Sequence, residues 1–262
     1  MKRESLSKKL KSYKKVLIAF SGGVDSTYLL KISQNVLGAK NVLAVIARSE
    51  TFPQSEIEEA LSFCQKNRIN YKLIKTYEIK NKNFIKNPKD RCFYCKSELF
   101  TKLTELAKKM GINNVLDGSN YDDLSDYRPG SRAMKKLKVK SPLQEAGFTK
   151  ADIRKESKRL KLPTWNKPSF ACLSSRFPYG SEITIPKLKQ VGEAEIFLKQ
   201  LGFRQFRVRH HGNIARIEIE EKNFSKALKL RNKIVKRLES LGYSYVTLDL
   251  FGYRTGAMNE VL

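Results

Sequence analysis

Residues 15–27 read KVLIAFSGGVDST, and the fold follows from that stretch. Residues 15–20 form an apolar run of strand length. Ser21, Gly22, Gly23, Val24, Asp25, Ser26 and Thr27 then lead into a helical pattern over 26–36. The glycines allow a tight turn that bares backbone amides, the hydroxyls of Ser21, Ser26 and Thr27 add donors, and the helix N-terminus adds partial positive charge. Together they make an anion cradle at the end of a first strand. It is not a Walker loop, because the GxxxxGK[ST] pattern and its lysine are absent. Asp25 would repel phosphates unless a divalent cation bridges them, which brings Mg²⁺ into the reading. The bland alternative is an ordinary strand-to-helix turn capped by Asp or Ser.

Outward from this stretch, short apolar runs alternate with helical patterns. Strands are predicted at 41–46 (NVLAVI), 71–77 and 114–117 (NVLD), with helices at 54–67 and 94–110. That alternation predicts an α/β fold with a doubly wound, mostly parallel sheet, its ligands bound beyond the carboxyl ends of the strands. Cys64 shares a helical stripe with Ile57, Ala60 and Leu61 and reads as core. A polar loop over 119–132 follows the fourth strand, then a helix over 149–160 with Thr149 as cap and Asp152 three residues on. Residues 163–186 carry four prolines and no period. Beyond them a smaller α+β unit is expected: a helix at 187–201, strands at 204–210 and 214–220, a helix at 223–241 and a strand at 245–250. The boundary is drawn near residue 180, giving units 1–180 and 181–262.

The chain has 262 residues, of which 40% are hydrophobic, enough for a buried core. No apolar run is long enough to span a membrane, and residues 1–15 are charged where a signal peptide would be apolar. Four cysteines are too few for a disulfide scaffold, so reduced thiols and a cytoplasmic location are expected. Lys and Arg number 52 against 26 Asp and Glu, a formal net charge of +26. Such a field draws polyanions or phosphorylated small molecules, although the excess is mostly lysine dispersed over helices.

The SGGVDST motif resembles the PP-loop of ATP pyrophosphatases, the adenine nucleotide alpha hydrolase-like group that holds the phosphates of ATP there and adenylates a substrate. Three further stretches, NYDDLSDYRPG at 120–130, ACLSSR at 171–176 and FRVRHH at 206–211, resemble the LarE family. These are ATP-dependent sulfur transferases that make the nickel-pincer nucleotide cofactor, and the resemblance runs over nearly the whole chain. It implies a pyridinium-3,5-dicarboxylic acid mononucleotide as substrate, a thiocarboxylate as product and a homo-oligomer.

Cys92 and Cys95 form C-x-x-C at a helix start, flanked by Arg91 and Lys96, which favour thiolates. From spacing alone, with Cys172 as a third ligand, a [4Fe-4S] cluster, a zinc site and a redox pair remain open. The resemblance shifts that balance. In single-cysteine members the residue matching Cys172 gives up its own sulfur, whereas members with an added C-x-x-C hold a [4Fe-4S] cluster on three cysteines. This sequence reads as the second type, receiving sulfur from sulfide or a donor protein.

Asp122, Asp123 and Asp126 follow the fourth strand and are expected beside the PP-loop, with Asp126 helping Asp25 hold Mg²⁺ and Arg128 facing the α-phosphate. Arg176, next to Ser175, is the expected bidentate phosphate contact near Cys172. The resemblance adds a phosphate- and metal-binding site, shared between subunits, on Glu195, Arg207, Arg209 and Glu218. The same adenylation chemistry would suit a tRNA thiolase, and a nucleotide sensor without turnover is a third reading. No RNA-binding module is legible in the second unit, so nucleic acid is not an expected partner.

Overall fold

The computed structural model describes residues 1–125, 128–169 and 171–260. The apolar run of the opening stretch becomes a strand, Val16–Ala19 (β1). It pairs in parallel with Val42–Arg48 (β2) on one side and Asn114–Leu116 (β4) on the other, and β2 pairs with Asn70–Lys75 (β3), giving the order β3-β2-β1-β4. Successive side chains leave a strand on opposite faces. Val16 and Ile18 of β1 therefore join Val42, Ala44 and Ile46 of β2 in one apolar cluster, while Leu17 joins Leu43 and Val45 in another. Helices Lys2–Tyr13 (α1), Val24–Leu37 (α2) and Gln54–Lys66 (α3) cover the first face with Leu6, Leu10, Tyr28, Leu29 and Phe63. Helix Arg91–Lys109 (α4) covers the second with Phe100, Leu103 and Ala107. This is the doubly wound α/β fold, and burial on both faces explains why its central strands read as continuous apolar runs.

Cys64 is fully buried in the first cluster, and burial pushes its thiol up to about 12. It is core, as its helical spacing predicts. Helix α1 was hidden in a segment that reads as charged, because only Leu6 and Leu10, one turn apart and both fully buried, anchor it. The polar stretch after β4 contains a 3-10 turn, Tyr121–Leu124, and a short helix, Gly130–Lys136. Asp126 lies outside the described residues.

Helix Lys150–Arg159 (α5) starts as its sequence predicts: the Thr149 side chain accepts from the Asp152 N–H, and the Asp152 carboxylate accepts from the Thr149 N–H.

The chain divides into two compact units, Met1–Glu78 with Cys92–Phe170 and Ile79–Arg91 with Ala171–Leu262. The excursion over 79–91 has no signature in the sequence. It is held by hydrogen bonds from Gly180 N to Asn87 O and from Ile183 N to Ile85 O. The second unit has a mixed sheet of Phe206–His211 (β5), Ile214–Ile219 (β6) and Tyr245–Leu248 (β7), antiparallel between the first two and parallel between the last two. Helix Ile185–Gln200 (α6) packs Ala194 and Leu198 onto it. The single helix expected over 223–241 is two, Phe224–Lys229 (α7) and Arg231–Ser240 (α8). They break at Leu230, whose N–H is shared between Lys226 O and Ala227 O. No helix among the described residues is long and apolar enough to cross a membrane.

Replacing Thr149 with Ala should cost the first unit about 1 kcal/mol in chemical denaturation, the value of a side-chain cap. Hydrogen bonds from Lys2 and then Thr149 lower the Asp152 carboxyl to about 2. Because its folded value lies below its unfolded one, its contribution is present above pH ~4 and is lost as pH falls toward 2. Asp152→Asn should therefore flatten that part of the acid limb of a stability-against-pH curve.

Candidate active site

In the first unit the strand order turns between β1 and β4, so the loops leaving their carboxyl ends lie side by side, the usual ligand position of an open α/β sheet. Gly22 takes φ +70°, and a Cβ there would stand 3.2 Å from Ala60 Cβ of α3. Gly23 is the N-cap of α2 without a side-chain cap, leaving the first-turn amides to a ligand. Ser21 Oγ and Ser26 Oγ are 3.0 Å apart, and Ser26 Oγ donates to Gly23 O at 3.2 Å. From the β4 side Gly118 passes so close that a Cβ would meet the Ser26 amide nitrogen at 2.9 Å.

A cavity opens over this turn. Ser21, Gly23, Asp25 and Ser26 line its floor, Asp117, Asp123 and Arg128 one polar side, and Val45, Ile46, Ala47, Phe52 and Leu99 its apolar walls. Thr27 is fully buried and Gly22 does not line the cavity, so these two shape the turn from behind.

Lys150, at the first turn of α5, joins this group without a signal in the sequence. Its Nζ bonds one oxygen of Asp25, and its backbone N–H donates to Asp122 Oδ2 at 2.8 Å. The other Asp25 oxygen is buried and has no hydrogen-bond partner among the described residues. A buried carboxylate oxygen left open beside bare helix-terminal amides is the donor set a Mg²⁺–phosphate group requires. Asp123 accepts from Asn120 N and pairs with Arg128 at 2.7 Å. Burial raises its carboxyl, against the opposing pull of the Asn120 N–H and Arg128. Arg128 is thus held at the cavity by Asp123. Lys167 was also unforeseen; its ammonium bridges Glu56 and Glu59 of α3 and lies 3.4 Å from Gly22 O.

The second unit gathers the remaining residues. Arg176 is fully buried and bidentate on Glu195, at 2.8 and 2.9 Å, so its fork is engaged by a carboxylate. Its Nη1 donates to Ala171 O, Cys172 O and Ser175 Oγ. Arg209 is bidentate on the fully buried Glu218, at 2.8 Å through each oxygen, and donates to Ser175 O at 2.7 Å. Arg207 stands opposite Glu218 in the β5–β6 register, with its guanidinium over Tyr253. Burial, and then the nearby Arg176, lower its value to about 10. Arg207 and Arg209, two residues apart on β5, belong with Glu195 and Glu218 to a buried charge cluster. His210, also buried, meets Tyr243 instead, and His211 is exposed.

Cys92 is exposed and Cys95 half-buried at the start of α4; Cys172 is half-buried beside the turn Leu173–Arg176. Among the described residues no three His, Cys, Asp or Glu side chains form a metal-binding group.

An anion cradle at the turning point of a parallel sheet, beside a carboxylate oxygen left without a partner, fits an ATP-using enzyme of the PP-loop class. Residues 3–94, which contain the cradle, match the family described as NAD synthase. The chain is 40% identical over 261 residues to pyridinium-3,5-bisthiocarboxylic acid mononucleotide synthase of Lactiplantibacillus plantarum, across all of this chain and 95% of that protein. It belongs to the family of that synthase, the LarE family. It is also 44% identical over 263 residues to uncharacterized protein slr1717 of Synechocystis sp., across all of this chain and 98% of that one. Uncharacterized protein MJ0830 of Methanocaldococcus jannaschii is 33% identical over 253 residues, 97% of this chain and 96% of its own length.

Asp25→Asn and Ser26→Ala should each abolish pyrophosphate release from ATP while leaving the circular dichroism spectrum and melting temperature close to those of the parent. Arg209→Ala should destabilise the second unit by about 1.5–3 kcal/mol, because it removes a bidentate charge-assisted pair and leaves the buried Glu218 with Arg216, at 3.1 Å. Changing both partners, Arg209→Met with Glu218→Leu, should recover most of that loss in urea denaturation.

Proposed function

We propose that this enzyme adenylates a carboxylate of pyridinium-3,5-dicarboxylic acid mononucleotide and replaces an oxygen of that carboxylate with sulfur. The observation that carries the reading is the open Asp25 oxygen beside the uncapped N-terminus of α2. Ser21, Gly23 and Ser26 would hold the β and γ phosphates of ATP, and the adenine would lie against Ile46 and Ala47. Mg²⁺ held by Asp25 would neutralise phosphate charge, with Arg128 aimed at the α-phosphate. Asp126 is proposed as a second carboxylate for the metal.

A carboxylate is a poor electrophile because its leaving group would be oxide. The substrate carboxylate oxygen attacks the α-phosphorus of ATP, the bond to the β-phosphate oxygen breaks, and pyrophosphate leaves. Sulfur then attacks the acyl carbon, AMP leaves with the former carboxylate oxygen, and a thiocarboxylate remains. The synthase of L. plantarum is named for a bisthiocarboxylic acid mononucleotide, which supports this substrate for a relative 40% identical to it.

For the sulfur source we propose a [4Fe-4S] cluster on Cys92, Cys95 and Cys172. Three thiolates leave one iron open, and the chemistry that iron supplies is to accept sulfide and present it as a nucleophile. Two features support this donor set. Cys92 and Cys95 are one helical turn apart at a helix start. Arg91, which precedes Cys92, donates to Ser174 O, two residues beyond Cys172. The reading requires the Cys172 thiolate to join the pair.

The first unit is proposed to carry adenylation. The second, through Ser175, Arg176, Glu195, Arg207, Arg209 and Glu218, is proposed to bind the nucleotide phosphate in a homo-oligomer. Arg207→Ala should then weaken phosphate-bearing substrate and lower the mass in solution together; unchanged values for both would return Arg207 to a structural role.

Protein purified without oxygen should be brown and carry about four irons per chain. Cys92→Ser, Cys95→Ser and Cys172→Ser should each lose iron and sulfur transfer, and Cys64→Ser should keep both. Colourless protein whose activity depends on Cys172 alone, and whose mass after turnover falls by the elements of hydrogen sulfide, would overturn the cluster and make Cys172 the sulfur source.

A further inference from the structure

Two lysines reach the phosphate turn. Lys150 bonds Asp25, which lines the cavity. Lys167 meets the turn at Gly22, where its Nζ donates to the carbonyl oxygen at 3.4 Å, and neither Gly22 nor Lys167 lines the cavity. The Lys167 ammonium also stands 2.8 Å from Glu56 and 2.7 Å from Glu59, one turn apart on α3, and its side chain is only 15% exposed. Two carboxylates against one ammonium leave no net positive charge, so attraction for a phosphate is not what this lysine supplies.

What it touches on the turn is a carbonyl. The Gly22–Gly23 peptide is trans, so its C=O and N–H point in opposite directions. Holding the Gly22 carbonyl toward Lys167 therefore turns the Gly23 N–H the other way, toward the cavity that Ser21, Gly23 and Ser26 line. Its contact there is Ser21 Oγ at 3.4 Å, a long bond that an anion can replace. With glycine on both sides of the peptide, sterics do little to oppose its rotation, and a flipped peptide would aim a carbonyl oxygen at the phosphates.

The lysine is itself held in place. Residues 164–167 form a turn closed by Lys167 N on Thr164 O at 3.0 Å. Arg154 of α5 donates to Trp165 O at 2.9 Å and to Lys167 O at 2.8 Å, and Lys158 lies over the Trp165 ring. Ala60, the residue after Glu59 on α3, packs against Gly22. All of these residues belong to the first unit.

We propose that Lys167 is a positioning residue for ATP: it draws the Gly22 carbonyl away from the cavity and so keeps the Gly23 amide aimed at the phosphates. The proposal rests on the reading of residues 21–26 as the phosphate cradle, and it involves neither the sulfur source nor the second unit.

The sequence contains one Gly-Gly pair. Protein made with glycine labelled by carbon-13 at the carbonyl and by nitrogen-15 therefore gives one carbon-coupled amide signal, that of Gly23. The probe is Mg²⁺–pyrophosphate, titrated into the parent, Lys167→Met, Lys167→Arg and a triple variant, Lys167→Met with Glu56→Gln and Glu59→Gln, each checked for melting temperature. The parental Gly23 signal should shift on titration. Lys167→Met should move the Gly22 carbon resonance upfield before any pyrophosphate is added, and should weaken pyrophosphate binding roughly tenfold or more, the size of one hydrogen bond to a charged group. Lys167→Arg should restore most of both. The triple variant leaves no stranded carboxylate to repel the anion; it should bind as weakly as Lys167→Met and takes its place if that variant does not fold. Parental affinity with an unmoved Gly22 carbon in Lys167→Met would overturn the proposal. So would recovered affinity in the triple variant, which would assign the loss to charge alone. A parental Gly23 signal that does not respond to pyrophosphate would overturn the phosphate-cradle reading and this inference with it.

Discussion

The parallel pairing of β1 with β4 is the constraint on which the nucleotide site depends. Val16 opposite Asn114 sets the register, and one strand's exit then delivers Ser21 while the other's delivers Gly118. A Cβ at Gly118 would collide with the Ser26 amide, so the close approach exists only because that position is glycine. The loop after β4 continues into Asp122 and Asp123, which hold Lys150, the partner of Asp25, and Arg128, which lines the cavity. A change of register at β4 would separate the acid loop from the phosphate turn and leave Asp25 without its ammonium partner. The apolar clusters on both sheet faces make such a slip costly, since a one-residue shift turns every inward side chain outward.

The second unit solves a different problem. Residues 171–176 contain a single 3-10 turn, and four of their carbonyls accept from arginine side chains, those of Cys172 and Ser174 also from the backbone amides of Ser175 and Phe177. Buried ion pairs of this kind contribute little net stability. What they supply is geometry: planar forks on Glu195 and Glu218 fix Arg176 and Arg209, and these in turn fix the loop that carries Cys172. Arg91 adds a third hold that is joined through the chain to Cys92.

Much of the fold was legible in the sequence, because its central strands β1 and β2 are buried on both sides and its phosphate turn is dense in glycine and hydroxyl. The cap on α5 was legible for the same local reason. Three kinds of feature were not. Helix α1 carries only two core leucines, too thin a stripe to register in a charged segment. The excursion over 79–91 depends on pairing with residues about ninety positions away, such as Asn87 with Pro178, which no local pattern encodes. Lys150 and Lys167 act through partners remote in sequence, so their residue type alone gave no signal, and Arg91 was singled out for its place beside Cys92 and not for its hold on Ser174. Arg207 and Arg209 were picked out by the resemblance, but their burial was not legible, since it comes from α6 and the Cys172 loop.

The central claim is that ATP is used to turn a carboxylate oxygen into a leaving group that sulfur displaces. Its most direct test labels that oxygen. With the dicarboxylated pyridinium nucleotide carrying oxygen-18 in its carboxylates, Mg²⁺, ATP and a sulfur source under anaerobic conditions, mass spectrometry should find one labelled oxygen in the phosphate of each AMP released, with thiocarboxylate formed in step. AMP free of label beside a thiocarboxylate product would contradict the account, because the carboxylate would then not have passed through an adenylate.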